Sequence, residues 1–251
     1  MADKKFAFEL GKVAIAFTVT GGLGDSIIAK KILTAAIELV PDCAVDLSCV
    51  NENHKLYANT FYTDIKNLNL ILLREEFYKD NFQKYDLAFY VAGSGAVMVD
   101  HFNEQVLQAL APALFQAVTK IKNYNAENAK RRISYGNAMY LRNYALSKIL
   151  NKNCYEILSC DGALPIRDNK VNIPLLPEYK SEFDKLNLGN YITIYSNIGI
   201  NETRPKNKTW PVRYFVEYVD LIKKHFPDVK IIQCGGGGIL KLRMPTVASW
   251  A

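Results

Sequence analysis

The stretch TVTGGLGDSIIAKKIL, residues 18–33, follows an apolar run, KVAIAFTV, at residues 12–19. The β-branched residues of that run predict a strand that the glycines end. Beyond the glycines, Ile28, Ile32 and Leu39 recur at the spacing of one helix face. The stretch therefore predicts the turn of a βα unit and indicates an α/β fold.

Three more apolar runs predict strands in the first half of the chain: AVDLSCV (44–50), LNLILL (68–73) and YDLAFYVAG (85–93). Continuous apolar strands are typical of a parallel sheet covered on both faces. The pattern then becomes helical in NEQVLQALAPALFQAVTKIKNY and NAMYLRNYALSKIL, and Pro112 should break or kink the first of these. We expect an N-terminal Rossmann-like domain over residues 1–170.

A second α/β unit is predicted after a proline-containing linker at residues 171–190. YITIYSN (191–197) indicates a strand, VRYFVEYVDLIKKHF an amphipathic helix and DVKIIQCGG another strand. The tail GGGGILKLRMPTVASWA does not continue this pattern. Residues 191–251 are therefore expected to be the first part of a truncated Rossmann-like domain, with a small complete lobe as the alternative.

Composition favours a cytoplasmic globular protein. The 251 residues are 49% hydrophobic and carry a net charge of +6, which suits an anionic ligand but is too small and scattered for nucleic-acid binding. No apolar run is long enough to span a membrane, and the N-terminus lacks the features of a signal peptide. Peripheral contact with a membrane is compatible with this sequence.

Five cysteines occur at positions 43, 49, 154, 160 and 234, and none of them forms a C-x-x-C pair. Reduced, buried thiols are the favoured interpretation. A metal site built from the two C-x5-C spacings, 43/49 and 154/160, is the alternative. His54 and His101 follow predicted strands, and lone loop histidines of this kind are usually surface residues.

The glycine-rich turn does not match a dinucleotide-binding fingerprint. Gly22, Gly24 and Ile27 occupy the three positions of G-x-G-x-x-G, so the third glycine is missing. Asp25 lies where a pyrophosphate would approach the helix and would repel it, which disfavours a nicotinamide-dependent oxidoreductase. Asp25 is either a helix N-cap or a base that accepts a proton from an attacking hydroxyl at the carboxyl edge of the sheet.

A second motif, KTWP, precedes the amphipathic helix of the C-terminal unit. Pro211 suits the start of a helix, because a missing N–H costs little there. Lys208, together with Thr203 and Arg204 and the local N–H groups, could hold a diphosphate. For Lys208 alone, a solvated loop lysine is an equally good interpretation.

Together, GGLGDSII and KTWP followed by FVEYVDLI resemble two segments of the heptosyltransferases, glycosyltransferase family nine. The resemblance implies a GT-B fold of two Rossmann-like domains. It also implies that Asp25 is the catalytic aspartate, which deprotonates the acceptor hydroxyl in an inverting transfer. Gly21, Gly22 and Gly24 would keep the approach of the acceptor open.

The same resemblance implies that Lys208 neutralises the diphosphate of the donor, with Thr203 and Arg204 in the contacting loop. The donor would be a nucleotide-diphosphate sugar such as ADP-heptose, a substrate rather than a cofactor, and no metal would be needed. The acceptor would be a bacterial glycan or protein, as in lipopolysaccharide biosynthesis. The family's later GGxxHLA-like segment has no counterpart here, so the alternative is a degenerate relative that acts as a non-enzymatic binding or assembly module.

Overall fold

The computed structural model describes residues 5–20, 22–78, 82–92, 96–130, 148, 151, 153–168, 170–195 and 211–234. The chain divides into two compact units, Met1–Pro174 and Leu175–Ala251. In the predicted linker, residues 171–176 have no regular structure and a helix follows at Pro177–Asp184. The domain boundaries drawn from the sequence stay a prediction.

One sheet with the order β3-β2-β1-β4-β5 organises the first unit. Its strands are β1 Val13–Val19, β2 Cys43–Cys49, β3 Leu68–Leu73, β4 Leu87–Ala92 and β5 Ala96–Phe102. The first four run parallel to one another, and β5 pairs antiparallel with β4. The α/β class and the four predicted strands are confirmed.

The sheet is mixed rather than wholly parallel, because β5 is an antiparallel strand that the sequence pattern did not predict. Only residues 93–95 separate β4 from β5. A connection this short can join only antiparallel neighbours, because a parallel pair requires a crossover of a dozen residues or more. The run AVMVDHF at Ala96–Phe102 therefore returns along β4 as an edge strand.

Six α-helices with bounds among the described residues of the first unit surround this sheet. They are α1 Leu23–Glu38, α2 Glu52–Phe61, α3 Arg74–Tyr78, α4 Glu104–Leu110, α5 Pro112–Lys130 and α6 Cys154–Leu158. The break between α4 and α5 confirms the interruption predicted at Pro112. The helix predicted from NAMYLRNYALSKIL lies outside the described residues except for Lys148.

The sheet is buried on both faces, as continuous apolar strands require. On β1, Ile15 and Phe17 join the larger core with α1, α2, α4 and α5, whereas Ala14 and Ala16 face a smaller cluster. That smaller cluster includes Ala7 of the N-terminal segment, residues 5–12, and Phe77 of α3. Since β1 is fully buried at the centre of the sheet, its carboxyl end is a rigid support for the turn that follows.

The second unit contains a parallel strand pair and a helix that packs on it. The strands are β6 Tyr191–Tyr195 and β7 Lys230–Cys234, and the helices are α7 Pro177–Asp184 and α8 Val212–His225. Val219 and Ile222 of α8 pack with Ile194 and Ile231 of the strands. The predicted βαβ order is confirmed for these elements. In both units, no helix within the described ranges is long and apolar enough to cross a bilayer.

Candidate active site

Asp25 lies in the first turn of α1 and holds the backbone that enters the helix. Gly22 is the N-cap residue, so Leu23, Gly24 and Asp25 are the first three helical positions. Asp25 Oδ2 accepts the Gly22 N–H at 2.7 Å. The predicted N-cap role is therefore wrong by three positions: Asp25 is the third helical residue and makes the carboxylate half of a capping box, with its charge near the positive end of the helix dipole.

At this turn the order in which successive strands are added to the sheet changes side. β1 leads through α1 to β2 on one side, whereas β4 lies on the other side of β1. In open α/β sheets, ligands bind outside the carboxyl ends of strands at such a switch point. Thr20 Oγ1 donates to the Val91 carbonyl at 2.9 Å and joins the ends of β1 and β4.

The glycines of the turn leave open space beside Asp25. Among the described residues, a Cβ added at Gly24 would meet no atom within 4 Å, and one at Gly22 would meet Asp25 Oδ2 alone, at 3.9 Å. Gly22 has a φ of −96°, which any residue adopts. Packing and backbone strain therefore give no reason for glycine at these positions, and Gly21 lies outside the described residues.

The two histidines are not in surface loops, so that expectation is wrong. His54 lies in the first turn of α2 and is buried, with a relative exposure of 7%. Asn51 caps this helix by accepting the His54 N–H at 3.0 Å. Among the described residues, His54 Nδ1 has no hydrogen-bond partner. His101 lies within β5 and is half-buried.

Lys208, Thr203 and Arg204 lie outside the described residues. Pro211, the last residue of the KTWP motif, is described and is the N-cap residue of α8. Its predicted position near the helix start is confirmed.

Two cavities in the first unit lie away from Asp25. One, of about 310 Å³, is lined by residues of α1 and by residues 64–67 and 170–172. The other, of about 580 Å³, lies beside the end of β5 and the start of α4. Residues 64–67 precede β3, and Phe102 pairs with Leu87 at the start of β4. Both cavities are thus at the amino edge of the sheet, and the candidate site is instead the open turn at the carboxyl edge.

The cysteine geometry rules out the proposed sharing of a metal by Cys43 and Cys49. These residues begin and end β2, so about 20 Å of extended strand separates them. Both are free and buried, as is Cys160, which confirms that interpretation for these three. Burial raises the pKa of Cys43 to about 11 and that of Cys49 to about 12. No group of potential metal ligands was found within the described ranges.

Comparison with known proteins gives a distant likeness in structure. No protein-family model matches this sequence. No curated protein matches it. Among solved structures, the chain is similar to the E. coli heptosyltransferase WaaC with ADP, at 13% identity and a TM-score of 0.45, over 94% of this chain and 74% of that chain. The fold described above rests on the order and direction of the strands themselves.

Proposed function

We propose that this protein is a glycosyltransferase of the heptosyltransferase type, which transfers a sugar from a nucleotide diphosphate to a glycan or protein acceptor. The observation that carries the proposal is the position of Asp25, in an open glycine turn at the switch point beyond the carboxyl end of β1. The sequence resemblance of GGLGDSII and KTWP supports the same activity. ADP-heptose is the donor that this resemblance favours.

In the proposed reaction, the acceptor oxygen forms a bond to the anomeric carbon of the sugar, and the bond from that carbon to the diphosphate breaks. The diphosphate leaves with the electron pair, and Asp25 accepts the proton of the attacking hydroxyl. Attack on the face opposite the leaving group inverts the anomeric configuration. A carboxylate has about four lone-pair positions, so the Gly22 N–H bond and a proton can share Asp25.

The proposed donor side neutralises the leaving diphosphate without a metal. Lys208 would provide a fixed positive charge, with Thr203 and Arg204 in the same loop. The N-terminus of α8, which begins after Pro211, would add partial positive charge from its unpaired N–H groups. Such donors stabilise the negative charge that develops as the diphosphate departs.

The test distinguishes the role of Asp25 as a catalytic base from its role in capping α1. Asp25→Asn keeps an oxygen that can accept the Gly22 N–H but removes the basic carboxylate, whereas Asp25→Ala removes both. With ADP-heptose and a bacterial glycan acceptor, we expect Asp25→Asn to lower turnover by at least about 100-fold. Loss of the negative charge near the helix N-terminus should cost this variant only about 0.5 kcal/mol of stability, because the Gly22 N–H keeps an acceptor. Asp25→Ala should also lose about 1 kcal/mol of stability.

Two outcomes would contradict this assignment. Wild-type turnover in Asp25→Asn would remove the base role from Asp25. Calorimetric binding of ADP-sugars by the wild-type chain, with neither transfer nor hydrolysis, would instead favour the non-enzymatic binding module.

A further inference from the structure

The segment that leaves the first unit is tied to the middle of α1. Lys30 of α1 is buried, and its Nζ donates to Asp64 Oδ1 at 2.6 Å and to the Asn172 carbonyl oxygen at 2.5 Å. Asn172 Nδ2 donates to the other carboxylate oxygen of Asp64, also at 2.6 Å. The three residues therefore form a closed cycle of hydrogen bonds that includes one ion pair.

A second tie lies next to the first. Lys31 Nζ donates to Asp168 Oδ1 at 2.6 Å and to the Lys170 carbonyl oxygen at 2.8 Å. The Lys170 N–H in turn donates to the same Asp168 oxygen, at 3.0 Å. Adjacent lysines of one helix thus hold both Asp168 and Asn172, the first and last residues of this short segment.

The two ties differ in strength because they differ in burial. The side chain of Lys30 is 4% exposed, so separation from Asp64 would leave a buried charge without its counter-ion. The side chains of Lys31 and Asp168 are 20% and 53% exposed, and water screens that pair. The bonds of Lys30 therefore contribute most of the stability with which this segment is held on α1, and the bonds of Lys31 mainly orient it.

Beyond Asn172 the chain becomes more exposed to solvent and has no regular structure until α7. Ile173 and Leu175 are 45% and 68% exposed, and no regular structure forms before α7 begins at Pro177. The division between the two units falls between Pro174 and Leu175. In the part of the chain that the structure describes, the hydrogen bonds that hold this segment on the first unit thus end at Asn172, within three residues of that division.

We propose that Lys30, Asp64 and Asn172 form an exit clamp, which fixes the end of the first unit on α1 so that the connection to the second unit becomes free to reorient only from Ile173. The clamp makes residues 168 and 170–172 a fixed strap of the first unit rather than part of a flexible linker. This assignment does not depend on glycosyl transfer, and its test requires no substrate.

Limited trypsin digestion of the full chain tests the clamp. Trypsin can cut after Lys170, which is exposed, but cleavage requires the strap to lift from α1. We expect Asp64→Asn to accelerate cleavage after Lys170 by on the order of 10-fold, as followed by mass spectrometry. Cleavage after Lys185, in the second unit, should keep its wild-type rate.

The matched control is Asp42→Asn, which removes the exposed ion pair of Lys12 and Asp42 at 2.7 Å elsewhere in the first unit. It should leave cleavage after Lys170 unchanged. An unchanged rate in Asp64→Asn would overturn the proposal. If Asp64→Asn exposes trypsin sites throughout the first unit, Asn172→Ala is the deciding variant, because it keeps the charges of Lys30 and Asp64. Faster cleavage after Lys170 alone would then support the clamp, and an unchanged rate there would overturn it.

Discussion

The hydroxyl of Tyr85 should contribute measurably to the stability of the first unit. Tyr85 donates to Asp46 Oδ2 at 2.5 Å, and both residues are buried, at 1% and 0% exposure. Asp46 accepts two further bonds, from the Ala7 N–H at 2.8 Å and from Asn69 Nδ2 at 2.8 Å. The carboxylate thus holds the N-terminal segment, β2 and β3 together.

Tyr85→Phe removes the hydroxyl while the ring contacts stay. The ring is stacked on Phe77 at 5.1 Å between centroids and meets Phe8 edge-on at 5.4 Å, and a phenylalanine ring can make both contacts. A hydrogen bond to a charged group contributes about 1.5–3 kcal/mol, so we expect a loss of about 2 kcal/mol. For a unit of this size, that loss lowers the melting temperature by about 4–8 °C.

The chain offers a matched control in Tyr62→Phe. Tyr62 is also fully buried, and its hydroxyl donates to the Ser26 carbonyl at 2.7 Å, which is a neutral acceptor. This change should cost about 1 kcal/mol in urea unfolding followed by far-ultraviolet circular dichroism. If Tyr85→Phe costs no more than Tyr62→Phe, the argument that Asp46 acts as a charged, buried acceptor is refuted.

Because the pKa values of Cys43 and Cys49 are raised to about 11 and 12, roughly 1 in 1,000 of the Cys43 thiols and 1 in 10,000 of the Cys49 thiols are ionised at pH 8. Iodoacetamide, which reacts with the thiolate, should therefore label both residues in urea but not in the folded chain. Because the unfolded thiols release protons from their ordinary pKa of 9.0 upward, stability should fall as pH rises above 9, and equal unfolding midpoints at pH 8 and 10 would contradict this. Asn51→Ala should cost about 1 kcal/mol in the same urea assay, since it removes the cap of α2, whereas Asn51→Asp should retain most of that stability.

The candidate site was predictable from sequence in position but not in detail. A strand, a glycine turn and a helix follow one another locally, so GGLGDSII placed Asp25 correctly after β1. Its cap geometry depends on where the helix starts, and Gly22 rather than Asp25 is the N-cap residue. The donor residues predicted from KTWP lie outside the described residues and stay a prediction.

His54 shows where sequence reasoning fails for a single side chain. A polar residue after a strand looks like a loop residue when the helix that contains it is short. Asn51, an N-cap residue, followed by the acidic Glu52 in the first turn, was the available signal for α2. The burial of the His54 side chain follows from packing against the remainder of the fold, which no local sequence pattern specifies.

Sequence by itself determined the α/β class, the four parallel strands and the break at Pro112, because periodicity and proline act through neighbouring residues. Tertiary structure alone decided the partners of buried charges. Asp46 bonds to Ala7 and Tyr85 across 39 residues each, and Lys30 bonds to Asn172 across 142. Such partners meet only when the sheet is assembled, and a buried charge is stable only where that assembly supplies its counter-ion or hydrogen-bond donors.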